Sequence, residues 1–218
     1  MKKIFLAILT ISLLTNCNNS QTKSVDKNER VELVPEPDKH ERLLGEAIQK
    51  LKTLNCDFNE PDTSLCGITL RNSISADKVI GKENKTDERE QYHFYSKMNV
   101  ETLTLTQHTG DGKNQISVFN VTYSNKAYYG YKQLNFDTFK TEKGIKLGMT
   151  KQEVINRLGK CYVAVDSTKN LIELYYRIEN PKDSRTKILE SNNMPVYYAT
   201  YGFWKNELKQ YEFGFEYP

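Results

Sequence analysis

Gly144-Ile-Lys-Leu-Gly-Met-Thr-Lys-Gln-Glu-Val-Ile-Asn-Arg-Leu-Gly159 is the stretch in which every position has a mechanical reading. Thr150 is an N-cap, because its hydroxyl can accept from the free N–H groups of the next turn, and Glu153 three residues later completes a capping box. Val154, Ile155 and Leu158 then share one helical face, Lys151, Gln152, Asn156 and Arg157 take the other, and Gly159 ends the helix. Two turns are too short to persist on propensity, so the helix must be held by packing.

Working outward, Gly67-Ile68-Thr69-Leu70 repeats Gly144-Ile145-Lys146-Leu147 at a spacing of 77 residues. Val79-Ile80-Gly81-Lys82 echoes the region from Val154-Ile155 to Gly159-Lys160, and Ser75-Ala76-Asp77-Lys78 is expected to cap and open a first short helix. Each short helix is followed by three strand-like runs. The first set is Gln91–Ser96, Glu101–His108 and Gln115–Ser124; the second is Leu171–Glu179, Val196–Trp204 and Glu207–Tyr217. The expected fold class is therefore α+β: two tandem units, each a short helix plus a three-stranded antiparallel sheet, spanning 67–135 and 136–218. The two sheets should pair edge to edge or lie side by side, with the helices covering one face. An additional N-terminal amphipathic helix is predicted between Asp38 and Leu54, where Leu43, Leu44, Ala47, Ile48, Leu51 and Leu54 recur at spacings of three and four.

The Gly-Ile-x-Leu-Gly-Met-Thr lead-in, the Glu-Val-Ile helix and the closing Leu-Gly resemble the helix of outer-membrane assembly lipoproteins of the SmpA/BamE type. The unit is also similar to the repeat of the β-lactamase inhibitory protein. Both resemblances imply a short helix laid on an antiparallel sheet and a role in binding other proteins.

The N-terminus carries Lys2 and Lys3, an apolar run from Ile4 to Leu14, and Leu14-Thr15-Asn16-Cys17. That is the layout of a secretory signal, and the run falls short of the roughly 20 residues of a membrane-spanning helix. The tetrapeptide resembles a bacterial lipobox, with Asn16 in place of the usual small residue; the resemblance implies that residues 1–17 are a lipoprotein signal and that Cys17 is the lipidation site. Residues 18–37 are polar and end in Pro35-Glu36-Pro37, the composition of a flexible tether. Removing the signal with Lys2 and Lys3 takes the basic residues from 31 to 29 against 28 acidic ones, a net charge near +1. Such a chain has no broad electrostatic footprint for a polyanion, so nucleic acid is not an expected partner.

Cys56 and Cys66 bracket an acidic, proline-containing loop in the segment 38–66, and an exported chain folds where thiols oxidise; the expected disulfide is Cys56–Cys66, leaving Cys161 as a buried inert thiol. No motif for a metal or cofactor is present, and no catalytic residue is assigned. His93 and His108 could be neighbours across a hairpin, but strand-borne histidines are usually structural, and His40 is expected to be solvated. Two features could bind. The segment Asn180–Met194 is longer than a hairpin needs and contains Lys182 and Arg185. Tyrosines 128, 129, 131, 175, 176, 197, 198, 201, 211 and 217 exceed what one core requires; in the adjacent pairs Tyr175-Tyr176 and Tyr197-Tyr198 one ring of each must point to either sheet face, and Tyr176 and Tyr198 are taken as binding candidates. The resulting expectation is a non-enzymatic lipoprotein, lipid-anchored in the cell envelope on the periplasmic side of the outer membrane. Its partner is another envelope protein, for which it serves as an assembly scaffold or an inhibitor. A periplasmic small-ligand or glycan binder is the alternative, and a closed aromatic pocket would distinguish it.

Overall fold

The structure, a computed structural model, describes residues 39–54, 56, 58, 60–82, 85–124, 130–167, 170–179 and 186–217. The expected lipidation site Cys17, the tether 18–37 and the loop residues Lys182 and Arg185 lie outside the described residues. The elements in chain order are α1 Lys39–Thr53, β1 Ser64–Leu65, β2 Ile68–Thr69, α2 Ser73–Ile80, β3 Gln91–Tyr95, β4 Glu101–Thr106, β5 Val118–Tyr123, β6 Lys132–Gln133, α3 Lys151–Leu158, β7 Val163–Ser167, β8 Leu171–Glu179, α4 Ile188–Asn192, β9 Val196–Trp204 and β10 Glu207–Phe215.

The helix α3 forms as its sequence dictates. Thr150 Oγ1 accepts from the Glu153 N–H at 3.3 Å, and Glu153 returns the contact by accepting from the Thr150 N–H at 2.8 Å. The Gly-Met lead-in has a job of its own, because the Gly148 N–H donates to the Leu208 carbonyl and the Leu208 N–H to the Met149 carbonyl. Those two bonds seat the start of α3 on the start of β10. The helix α2 begins earlier than expected: its cap is Asn72, whose side chain accepts from the Ser75 N–H at 3.0 Å, so Ser75 lies inside the helix.

β1 and β2 form a small ribbon, while the other strands make one eight-stranded sheet in the order β6-β3-β4-β5-β10-β9-β8-β7. All its pairings are antiparallel except that of β3 with β6. The two tandem three-stranded units expected from the sequence are not distinct here: their sheets are joined edge to edge, one of the two arrangements anticipated, and β6 and β7 extend the outer edges. Both meanders exist, but β5 and β10 would each leave an edge of unpaired backbone groups. They pair instead, with Phe213 opposite Phe119 and the two rings 5.0 Å apart. At this seam β10 comes so close to β5 that a Cβ on Gly214 would stand 2.2 Å from the Ser117 carbonyl oxygen.

Alternation divides the sheet into two faces. One carries Phe94, Leu105, Phe119, Tyr176, Tyr201 and Phe213 into the main core, closed by Ala76 of α2, Val154 and Leu158 of α3, and Leu189 of α4. The second face is different. There α1 lays Ala47, flanked by Leu43, Leu44, Ile48 and Leu51, on Val163, Val165 and Tyr175. The helices α2 and α3 of the two repeats thus share one face, while the additional helix α1 covers the other: an apolar stripe says that a helix is covered, not which side of a sheet covers it.

To join these layers the chain passes round the β7 edge, since Leu54 still belongs to the end of α1 whereas Phe58 packs 4.8 Å from Tyr176 in the main core. A disulfide staples that crossing, and it is Cys56–Cys161, with Cα atoms 5.6 Å apart, rather than Cys56–Cys66. Cys66 sits on the β1–β2 turn at φ 50°, with its sulfur facing the carbonyls of Thr138 and Lys140. It is a free, half-buried thiol, and burial pushes its pKa up.

Candidate functional site

The part of the second sheet face that α1 leaves uncovered forms a trough of about 510 Å³. Its floor crosses β8, β9, β10 and β5. His40 and Leu44 of α1 stand on one side, and Tyr217 with His108 on the other. The strand β8 supplies Glu173 and Tyr175 by period two, an alternation that continues beside the trough through Arg177 and Glu179 and turns Leu174, Tyr176 and Ile178 into the core.

Two bonded groups organise the floor. In the first, the Arg177 guanidinium donates to Glu179 Oε2 at 2.7 Å, to Glu216 Oε2 at 3.1 Å, to Glu216 Oε1, and to the Tyr175 hydroxyl at 2.8 Å. Lys52 of α1 reaches Glu179 at 3.1 Å and ties the helix to this group. Burial pushes the Glu179 carboxyl up, but the hydrogen bonds from Arg177 and Lys52 outweigh it and hold it below the usual range. Burial likewise pushes Tyr175 up to about 12, against the pull of Arg177, so its hydroxyl stays protonated.

The second group centres on Glu212. One carboxylate oxygen accepts from the Tyr198 hydroxyl at 2.6 Å and the other from Asn120 Nδ2 at 2.8 Å. Burial, with the neighbouring Glu212 charge next, raises the Tyr198 pKa, which keeps the phenol a donor. Both donors to this carboxylate are neutral groups.

Of the residues singled out from the sequence, Tyr198 lies on this face, with its neighbour Tyr175. Tyr176 does not: it is fully buried in the main core, where its hydroxyl donates to the Gly159 carbonyl at 3.1 Å. The tyrosine surplus is largely internal for the same reason, since Tyr197 donates to the Asp62 carbonyl and Tyr211 to the Phe139 carbonyl, each tying a strand to a loop of the core. The excursion Asn180–Met194 is not all surface loop, because α4 inserts Ile188 and Leu189, with Met194, into the core.

The two strand-borne histidines are not brought together. His93 lies opposite Thr104, contacts Asp87 at 3.0 Å and stacks on Tyr131, whereas His108 Nε2 donates to the Phe215 carbonyl at 2.9 Å. Among the described residues no group of three or more His, Cys, Asp or Glu side chains could hold a metal ion. The residues that sequence reasoning missed are Asn120, Arg177, Glu212 and Glu216. The legible signal was the run of polar and aromatic residues at every second position of β8, a pattern that marks a strand whose second face is not core.

Comparison of the chain with protein-family models, with curated proteins and with solved structures finds no match.

Proposed function

We propose that this chain is a non-enzymatic envelope lipoprotein, anchored through Cys17 in the outer membrane on its periplasmic side, that binds another protein through the uncovered face of its sheet. The observation that carries this reading is the trough: a polar and aromatic floor, fixed by its own hydrogen bonds and flanked by α1, on the face turned away from the main core. Fixed side chains lose little entropy on contact, and tyrosine is a preferred interface residue. The resemblance of Gly144–Gly159 to the SmpA/BamE and β-lactamase inhibitory protein units supports the same reading, as scaffold or as inhibitor. The trough is half open on the sheet face and is not a closed aromatic pocket, which favours a protein over the alternative, a small ligand or glycan.

The test is capture from detergent-solubilised envelopes of the full chain tagged within the tether, beside Cys17→Ser and Thr200→Arg. Thr200 is half-buried on β9 in the trough, so arginine there fills it. The expected result is a stoichiometric protein partner that is lost with Thr200→Arg, and release of the Cys17→Ser form from the membrane fraction. A partner that survives Thr200→Arg, or no partner at all, overturns the reading.

A further inference from the structure

Resting on that protein-binding reading, we infer that the segment seated in the trough is cationic and places a lysine or arginine side chain against Glu212. The argument is charge complementarity on an uncovered sheet face. The carboxylates facing the trough are Glu212 of β10 and Glu216 just beyond it, with Glu173 of β8 already engaged in an interaction of its own; the nearby guanidinium of Arg177 is shared between Glu216 and Glu179, and Glu179 also holds Lys52. The rim adds the imidazoles of His40 on α1 and of His108, and β9 and β5 contribute the uncharged Tyr198, Thr200, Val118 and Asn120. The local balance is therefore acidic, opposite in sign to the formal +3 of the whole chain.

Glu212 is the anchor. Its two oxygens are fixed by Tyr198 and Asn120, so the carboxylate is oriented before any partner arrives, and each oxygen keeps a further lone pair for a second donor. Neither donor neutralises its charge. An ammonium or guanidinium arriving here meets a fixed anion beside the aromatic rings of Tyr175, Tyr198 and Tyr217, the surroundings that favour a cation. The volume of about 510 Å³ admits a long side chain with the backbone on either side of it.

The experiment selects a random peptide library displayed on phage against the purified full-length chain, then ranks the binders on Glu212→Gln, Glu173→Gln and Thr200→Arg forms. Glutamine at 212 keeps an oxygen for the Tyr198 hydroxyl, and unchanged thermal unfolding certifies each variant. The expected binders carry an obligatory lysine or arginine, weaken at least about tenfold on Glu212→Gln, and disappear on Thr200→Arg. Binders lost on Thr200→Arg but indifferent to Glu212→Gln, or without a required basic residue, overturn the cation assignment and leave the docking face standing. An absence of any binder sensitive to Thr200→Arg overturns both. Spermidine binding more tightly than every selected peptide would replace the protein partner with a free polyamine.

Discussion

Replacing Asp62 by asparagine should make the stability of this protein much less sensitive to pH. Asp62 is fully buried; its Oδ1 accepts from the Lys143 N–H at 3.2 Å, and its Oδ2 finds no hydrogen-bond partner among the described residues. Burial raises its pKa from 3.8 to about 6, against the opposing pull of the Thr141 side chain and the Lys143 N–H, with Glu142 adding to the rise. The folded state therefore holds the proton more tightly than the unfolded chain. Its stabilising contribution is complete below the unfolded pKa near 3.8 and is lost as pH rises through about 6. The displacement corresponds to about 3 kcal/mol. Asparagine keeps the carbonyl that Lys143 uses and has no charge to bury. Urea unfolding followed by circular dichroism should show the variant gaining about 3 kcal/mol on the wild type between about pH 3 and about pH 8, in the variant's favour at the higher pH. A gap that stays constant across this range, or widens toward acid, would refute the reasoning.

Three further outcomes follow from the packing. Cys56→Ser or Cys161→Ser opens a link across a sequence separation of 105 and should cost roughly 4–5 kcal/mol, whereas Cys66→Ser should cost under about 1 kcal/mol; peptide mapping without reductant should recover Cys56 joined to Cys161, and a Cys56–Cys66 peptide would contradict the fold. Gly214→Ala should destabilise by about 3 kcal/mol or more, because its methyl has no space beside the Ser117 carbonyl, and a thermal midpoint equal to wild type would show that β5 and β10 do not approach so closely. Thr150→Ala removes the acceptor that caps α3 and should cost about 1 kcal/mol in chemical denaturation, while Thr150→Ser should cost much less.

What could be read in the chain and what could not divide along physical lines. The cap and face of α3, the amphipathic α1 and six of the sheet strands were legible because each is encoded within a few neighbouring residues. The Lys205-Asn206 hairpin belongs with them, both residues taking the positive φ that a tight turn between twisted strands requires. The short β7 and the five-residue α4 were missed, since neither is long enough to show a period. The β5–β10 pairing joins residues more than eighty positions apart and depends on which edges are left over after the local hairpins form. The disulfide partner of Cys56 was hidden likewise, because proximity in sequence favoured Cys66 while the passage round β7 decides for Cys161. Of the trough, Tyr198 could be picked out by alternation; Glu212 could not, because a single strand glutamate has nothing to mark it until Asn120 and Tyr198 converge on it.

The staple at the β7 edge also sets how the molecule carries mechanical load. Tension on the chain upstream of Lys39 first meets α1, which is held by a small apolar cluster and the Lys52–Glu179 ion pair. Beyond the helix it reaches Cys56, where the disulfide hands the force to Cys161 and the start of β7. In a single-molecule pulling trace on the oxidised protein, α1 should yield as a short early extension while Phe58 and the core behind it stay unloaded. With reductant present, the same pull should run past Cys56 and draw the following segment out of the core, so the staple works as a strain relief between the pulled end and the sheet.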